Sequence, residues 1–249
     1  VYDQYGRPAV GVMSTPVNQN TLGYVDNLNM HSDGTVYNKT HFDFDNTAET
    51  CGEYTAAPPM NAATSAGAAN YYSPNNPDQE GANAYLPDAE GYPFVQVKYD
   101  NDPTGRIKRV GGIGPDHQIG KTFDGTAEEN ASHYTEYFYD TPDDLEMYKL
   151  FGNEGTSSKD YTRVITKDVH GQLSVAITDA MGRTVATYMM GANPAGLERI
   201  EGNAYPALSP ESKDFMNYNI TNEIEGVIEV STPIFVPEAG VPYDFSYDF

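Results

Sequence analysis

The residues of this chain that could do chemistry are its many carboxylates, five histidines and one cysteine. In "GPDHQIGKT" (114–122) glycines precede Lys121 and Thr122, as in a phosphate-binding loop. Such a loop needs Gly, four residues, then Gly-Lys-Ser/Thr, so that consecutive amides wrap the phosphates. Here five residues separate Gly114 from Gly120 and Pro115 lacks an amide, so the stretch reads as a structured turn between strands. His31, His41, His117, His133 and His170 never fall at a close ligand spacing such as H-x-x-x-H; they read as surface or hydrogen-bonded histidines rather than zinc ligands. In "HFDFDNTAE" (41–49) Asp43 and Asp45 would point to one side of a strand, with Asn46 and Glu49 adding oxygens. Calcium takes six to eight hard oxygens and the stretch has no glycine-containing loop, so a solvated acidic edge is expected. The pairs Asp143–Asp144 and Glu128–Glu129 are not specific for glycoside hydrolysis in a chain this rich in carboxylates. Cys51 can form no internal disulfide and has no recognisable catalytic partner, and no Gly-x-Ser-x-Gly elbow is present. Asn38, Asn130 and Asn219 open glycosylation sequons, which matter only if the chain meets the transferase. No residue is assigned a catalytic, cofactor-binding or metal-ligating role, and no cofactor is expected.

The elements that would position these groups are mostly strands. With 20 Tyr, 10 Phe and no Trp, and with 23 Gly and 17 Pro, the composition is that of short strands joined by tight turns. Alternation predicts strands over 94–100, 105–111, 134–140, 161–168, 172–179 and 183–190, with a later set at 226–231 and 243–249. A short helix is predicted over 142–151: Thr141 suits its cap, Pro142 its first turn, Asp143 and Asp144 its positive end, and Gly152 its stop. "SPESKDFMNY" opens a second at Ser209 and Pro210, while the small, polar, proline-broken stretch 52–91 reads as a long loop or an excursion over a sheet. Four regions follow: a β-rich 1–51, the excursion 52–91, hairpins over 92–191, and a helix with further strands over 192–249. Val1 and the closing "VPYDFSYDF" both fall inside patterned phrases, which suggests an excerpt of a longer chain.

One phrase recurs. "YDQYGRPAVG", "YDNDPTGRIKRVGG" and "ITDAMGRTVATYMMG" each place an Asp, a short spacer and Gly-Arg between two β-rich runs. An Asp can accept from backbone amides two residues on, Gly supplies a positive φ, and Arg can reach back to the carboxylate. "KDVHGQLSV" repeats the device with Gln172 in the Arg place. The phrase predicts a β-hairpin, and its repetition predicts a sheet assembled hairpin after hairpin.

There are 36 Asp plus Glu against 14 Lys plus Arg, a formal net charge of −22. Such a surface repels phosphate backbones and anionic lipid, which disfavours nucleic acid and the cytoplasmic membrane face as partners. No apolar run approaches the ~20 residues of a membrane span.

The phrases "YDQYGR", "YDNDPTGR" and "TDAMGRTVAT" resemble the Tyr-Asp phrase of the YD-repeat, or RHS, superfamily. The ordered series "SPNNPD", "PDAEGYPFVQVKYDNDPTGRIKR", "GIGPDHQIG", "FYDTPDDLEMYKLFGNE" and "DVHGQLSVAITDAMGRTVAT" is similar to the N-terminal part of large RHS-type surface proteins of Bacteroidota-type bacteria. The resemblance implies a mainly β fold: antiparallel hairpins building a curved β-sheet shell or sandwich-like sheets, with one or two short helices. It implies a non-enzymatic structural segment, secreted or held on the extracellular side of the outer membrane. The implied partners are the remainder of its own longer chain and outer-membrane or secretion-system proteins, with toxin encapsulation as one use. In "ANPAGLERIEGNAY" Asn193 stands where the family's self-cleavage motif carries an Asp, and lacks its carboxylate, so no protease role carries over. Two rival functions remain. Tyr alternating with Asp and Asn would suit a carbohydrate-binding or adhesive module, and a hydrolase would need a convergent site that the sequence does not display.

Overall fold

Alternating aromatic and β-branched residues set seven strands among the described residues. They are β1 Val10–Val12, β2 Phe94–Tyr99, β3 Ile107–Gly111, β4 Thr135–Asp140, β5 Tyr161–Lys167, β6 Leu173–Asp179 and β7 Thr184–Met190. The computed structural model describes residues 1–3, 5–17, 23–26, 28–31, 34–36, 59–63, 67–100, 104–119, 133–155 and 157–191. The strands form one antiparallel sheet whose spatial order follows chain order, β1 to β7. The fold is mainly β with few short helices, as the alternation predicts. The predicted helix at 209–218 and the strands at 226–231 and 243–249 lie outside the described residues.

The two hairpins whose registers are fixed on both sides of a Gly-Arg turn share one irregularity. In β2–β3 Lys98 pairs with Arg109 but Tyr99 pairs with Ile107, which leaves Lys108 as an extra residue. In β6–β7 Ile177 pairs with Ala186 but Thr178 pairs with Thr184, which leaves Val185 extra. In both hairpins the extra residue stands two positions after the turn arginine, Arg106 or Arg183. A bulge at that place adds local twist to the hairpin.

The chain forms two compact units. The first comprises Val1–Tyr137 with Lys167–Gly171, and the second Phe138–Thr166 with the described residues from Gln172 onward. In the first, Val10, Met60, Ala69 and Phe94 form a buried cluster, and Ala68, Tyr72 and Ala89 form another. The stretch read as an excursion therefore contributes core. Its residues Ala68–Tyr71 form helix α1, and the small side chains that read as loop let the backbone pack closely. In the second unit Met147, Ile165, Val175 and Ile177 are buried together, with Phe138, Phe151 and Tyr188 packed around them. Fully burying one such aliphatic side chain stabilises by about 1.5–3 kcal/mol.

Helix α2, Asp144–Phe151, supplies Met147 to that cluster. Its cap is Asp143 rather than Thr141: Glu146 reaches back to the Asp143 amide at 3.2 Å, a reciprocal capping box. Thr141 turns the other way, its amide donating to Asp140 Oδ1 at 2.7 Å. Gly152, at φ 58, stops the helix.

The β6–β7 turn gives the first prediction. Gly182 has φ 75, and a Cβ there would meet nothing within 4 Å, so the cost of a side chain is that of the backbone alone. Gly182→Val should destabilise by more than ~1 kcal/mol, because a β-branched residue tolerates that region poorly. Gly182→Asn should cost less. Urea unfolding of the two variants checks this; a Val variant with an unchanged midpoint would refute the turn's dependence on φ.

Candidate functional site

The recurring chemistry of the described residues is an aspartate that bonds its own turn. At Asp179, Oδ1 accepts from the Met181 amide at 2.9 Å and the Arg183 amide at 2.9 Å. Oδ2 accepts from Arg183 Nε at 2.8 Å. The backbone closes the same loop, with Asp179 N donating to Arg183 O at 2.9 Å and Gly182 N to Asp179 O at 2.8 Å. Asp3 repeats the pattern: Tyr5 N at 2.9 Å and Arg7 N at 2.8 Å on Oδ1, and Arg7 Nε at 2.6 Å on Oδ2. Asp3 N likewise reaches Arg7 O at 2.9 Å, and Gly6 N reaches Asp3 O at 3.0 Å.

Variants of the phrase keep the backbone and change the side-chain partner. Asp168 accepts from the His170 amide at 2.8 Å, while the Gln172 side chain donates to Leu173 O and Met190 O. The longer spacer after Asp100 keeps the closing bond from Asp100 N to Arg106 O at 2.8 Å, but stretches the ion pair to 3.7 Å. A further turn went unread in the sequence. His31 occupies the Asp place, with His31 N donating to Thr35 O at 2.8 Å and Gly34 N to His31 O at 3.0 Å. The one signal for it was Gly34 three residues on, without Asp or Arg at either end.

The arrangement shifts two acids downward. For Asp3, partial burial pushes the carboxyl up, but the Arg7 amide and guanidinium and the Tyr5 amide outweigh it and hold the group below its usual 3.8. For Asp179 the Arg183 side chain acts first, then the Arg183 and Met181 amides, with the same result.

Two buried charge clusters were not read from the sequence. Arg163, on β5, is 2 % exposed and donates to Glu146 Oε2. Its guanidinium also lies 3.4 Å from Asp140 Oδ2 and 3.8 Å from Asp143 Oδ2. Glu146 Oε1 accepts from the Tyr188 hydroxyl. Burial, and then the Glu146 carboxylate, push that hydroxyl well above its ordinary value of 10.0. Both Glu146 oxygens are thus engaged. In the first unit Arg109 Nε bonds Glu136 Oε1 at 2.7 Å, across directly paired positions of β3 and β4. The signal available was strand parity: Arg163 alternates with buried Ile165, and so belongs to the core face.

Of the residues weighed in the sequence, His117 and His133 come together, with ring centroids 6.1 Å apart. His31 is half-buried and His170 exposed. Pro115–His117 form a 3₁₀ turn after β3, so the start of "GPDHQIGKT" is a turn between strands; Gly120, Lys121 and Thr122 lie outside the described residues. So do His41, Asp43, Asp45, Asn46, Glu49, Cys51, Glu128, Glu129 and Asn193, and the sequons at Asn38, Asn130 and Asn219. Among the described residues no group of three or more His, Cys, Asp or Glu is placed to hold a metal ion. None of their helices is long and apolar enough to cross a membrane. No family model, no curated protein and no solved structure matches the chain.

Two predictions follow from these charges. Arg163→Met should destabilise by about 3–5 kcal/mol, because three carboxylates would be left around a neutral side chain in the interior. Arg183→Met, at a position 72 % exposed, should cost far less in the same denaturation series. The turn acids set a pH dependence. Their folded pKa values lie below the unfolded one, so their contribution is present above about 3.8 and is lost as pH falls through the folded value. Carboxyl-carbon NMR titration should place the Asp3 and Asp179 midpoints below 3.8. Midpoints at or above it would mean that the turn bonds do not form in solution.

Proposed function

We propose that the chain is a non-enzymatic structural segment of a large RHS/YD-repeat surface protein, working at the exterior of a bacterial cell. The carrying observation is that one five-residue turn is built the same way at Asp3–Arg7, ahead of β1, and at Asp179–Arg183, where it joins β6 to β7 in a sheet whose order simply follows the chain. A hairpin module repeated in series extends a sheet without altering the hairpins already made, which is what a shell or a surface assembly requires. The buried carboxylates among the described residues favour this over a hydrolase: Glu146, Glu136 and Asp143 lie against arginines, and a general base needs an oxygen free to take a proton. Its partners are then the remainder of its own longer chain and secretion-system or outer-membrane proteins, reached through backbone edges rather than a ligand cleft.

One observation favours a second reading, a carbohydrate-binding or adhesive module. Tyr24 and Tyr85 are 89 % and 88 % exposed, and bare aromatic faces suit sugar rings. Titration with an oligosaccharide panel, read by NMR, separates the two; binding that Tyr85→Ala abolishes would put the module first.

Amide exchange tests the structural reading directly. In the chain alone, β6 amides should be protected and β7, outermost of the described strands, should exchange faster on its far side. In the longest natural reading frame containing these residues, β7 should gain protection as further strands add to it. Equal protection of β7 in both would remove the shell reading.

A further inference from the structure

Strands β5 to β7 reverse the usual division of a half-solvated antiparallel sheet, in which apolar residues face the core and polar ones face water. Their buried cation, Arg163, shares the core face with Ile165. The alternate positions face the other way. They run from Thr162 to Thr166 on β5, from Ser174 to Thr178 on β6 and from Val185 to Met189 on β7, and hold only Thr, Ser, Val, Ala and Met. Lys167 and Asp179, the other charged residues of these strands, stand at strand ends. On a chain with a formal net charge of −22, three adjacent strands present one face without a charge. We propose that this face is a self-association surface, on which a second copy of the chain docks its own β5–β7 face about a twofold axis.

The face is open and suited to being covered. Thr162, Ser174 and Thr187 are exposed, and Met189 is 69 % exposed although it is apolar. Val164, Ala176 and Met189 lie outside the buried cluster around Met147. Across β5 and β6 the Thr162 and Thr178 hydroxyl oxygens lie 2.6 Å apart, one donating to the other. Covering that pair therefore does not strand both hydroxyls without a partner. Ser174 stands opposite Met189 and Ala176 opposite Thr187 in directly paired positions. Small side chains let two such faces approach to the ~10 Å spacing of stacked sheets, and the flexible methionine fills the gaps.

Charge selects the occupant. A basic partner would meet no carboxylate on this face and an acidic one no cation, so either would bury its charges unpaired. A second copy brings the same uncharged face, and a twofold contact pairs the patch with itself. The −22 on each copy opposes approach through charged surfaces, and opposes it least here. Size sets the strength. Three strands of seven residues cover roughly 14 by 23 Å, about 300 Å² per copy, against the ~800 Å² per partner of a standing complex. The pair is therefore weak and reversible, and it forms at high protein concentration.

Sedimentation of the whole chain, from roughly 10 μM to roughly 1 mM, tests this. The mass should rise toward that of a dimer and stop there. The rise should be larger at high salt, which screens the repulsion between copies. Thr187→Glu puts a charge at the middle of the face and should weaken association by about tenfold or more. Asn153→Glu, in the exposed turn after α2 and so on the helix-covered side of the sheet, should leave it unchanged. In the parent chain the Met189 methyl resonance should shift with concentration while that of buried Met147 stays fixed. That arm needs no variant, so loss of folding in Thr187→Glu leaves the outcome decided. A monomer throughout at both salts, a pair indifferent to Thr187→Glu, or growth beyond the dimer would overturn the surface. So would a Met189 methyl shielded from a dissolved paramagnetic probe in the dilute monomer, because the face would then be covered from within the chain.

Discussion

A carboxylate that serves the backbone before it serves a cation is the constraint on which the sheet depends. In a five-residue reversal the amides of the third and fifth residues point inward with no carbonyl in reach. Asp179 Oδ1 takes both, and Asp3 Oδ1 does the same at the other copy. Once these amides are satisfied the loop length is set, and loop length sets register. Register in turn decides which face each strand buries. A slip of one residue would turn Val175 and Ile177 outward and Ser174 and Ala176 inward, exchanging large apolar side chains in the core of the second unit for small ones, one of them polar. The shared bulge two residues beyond the turn arginine is the visible trace of this coupling between turn and register.

Cations are scarce in a chain with 14 Lys and Arg against 36 Asp and Glu, and their placement follows from that scarcity. Each of the five described arginines, Arg7, Arg106, Arg109, Arg163 and Arg183, lies within an ion pair. The planar guanidinium bonds several acceptors at once, so one arginine can hold the Glu146, Asp143 and Asp140 cluster together where a lysine would offer a single point charge. The helix α2 cap and the β5 face meet at that cluster. Glu146 closes the capping box with one oxygen and accepts from Tyr188 with the other, so helix start, strand face and β7 are tied through one side chain.

What the sequence made legible was governed by short-range physics. Strand positions β2 to β7 came through because alternation is a property of consecutive residues, and the turn phrase because Asp, Gly and Arg act within five positions of one another. The cap of α2 was misplaced by two residues because Thr141 and Asp143 are both competent, and only the reach of Glu146 selects between them. The small residues of 67–72 read as loop because alanine and glycine carry no periodic signal, yet their size is what allows Ala68 and Ala69 to bury completely or nearly so. Arg163 and Arg109 escaped for the opposite reason. A charge on a strand reads as solvent-facing until the carboxylate opposite it is known, and Glu146 and Glu136 stand 17 and 27 residues away. The tautomers of His117 and His133 are likewise set by carbonyls 16 and 36 residues distant.

The two full copies of the turn separate geometry from energy. Their bond lengths agree within a few tenths of an ångström, although Arg183 is 72 % exposed and Arg7 only 19 %. The conformation is therefore local: three residue types at fixed spacing produce it with or without burial. Its electrostatic strength is not local. Arg7 also stacks on the rings of Tyr5 and Tyr99, at 4.8 Å and 4.4 Å, and reaches the Asp100 carbonyl, so its charge sits against low-dielectric neighbours and is less screened. Arg183 faces water and salt, and its pair with Asp179 weakens as ionic strength rises. A phrase that yields the same turn at either exposure can be repeated wherever a hairpin is needed. The surroundings then decide how firmly each copy holds, and the chain varies stability along the sheet without varying its geometry.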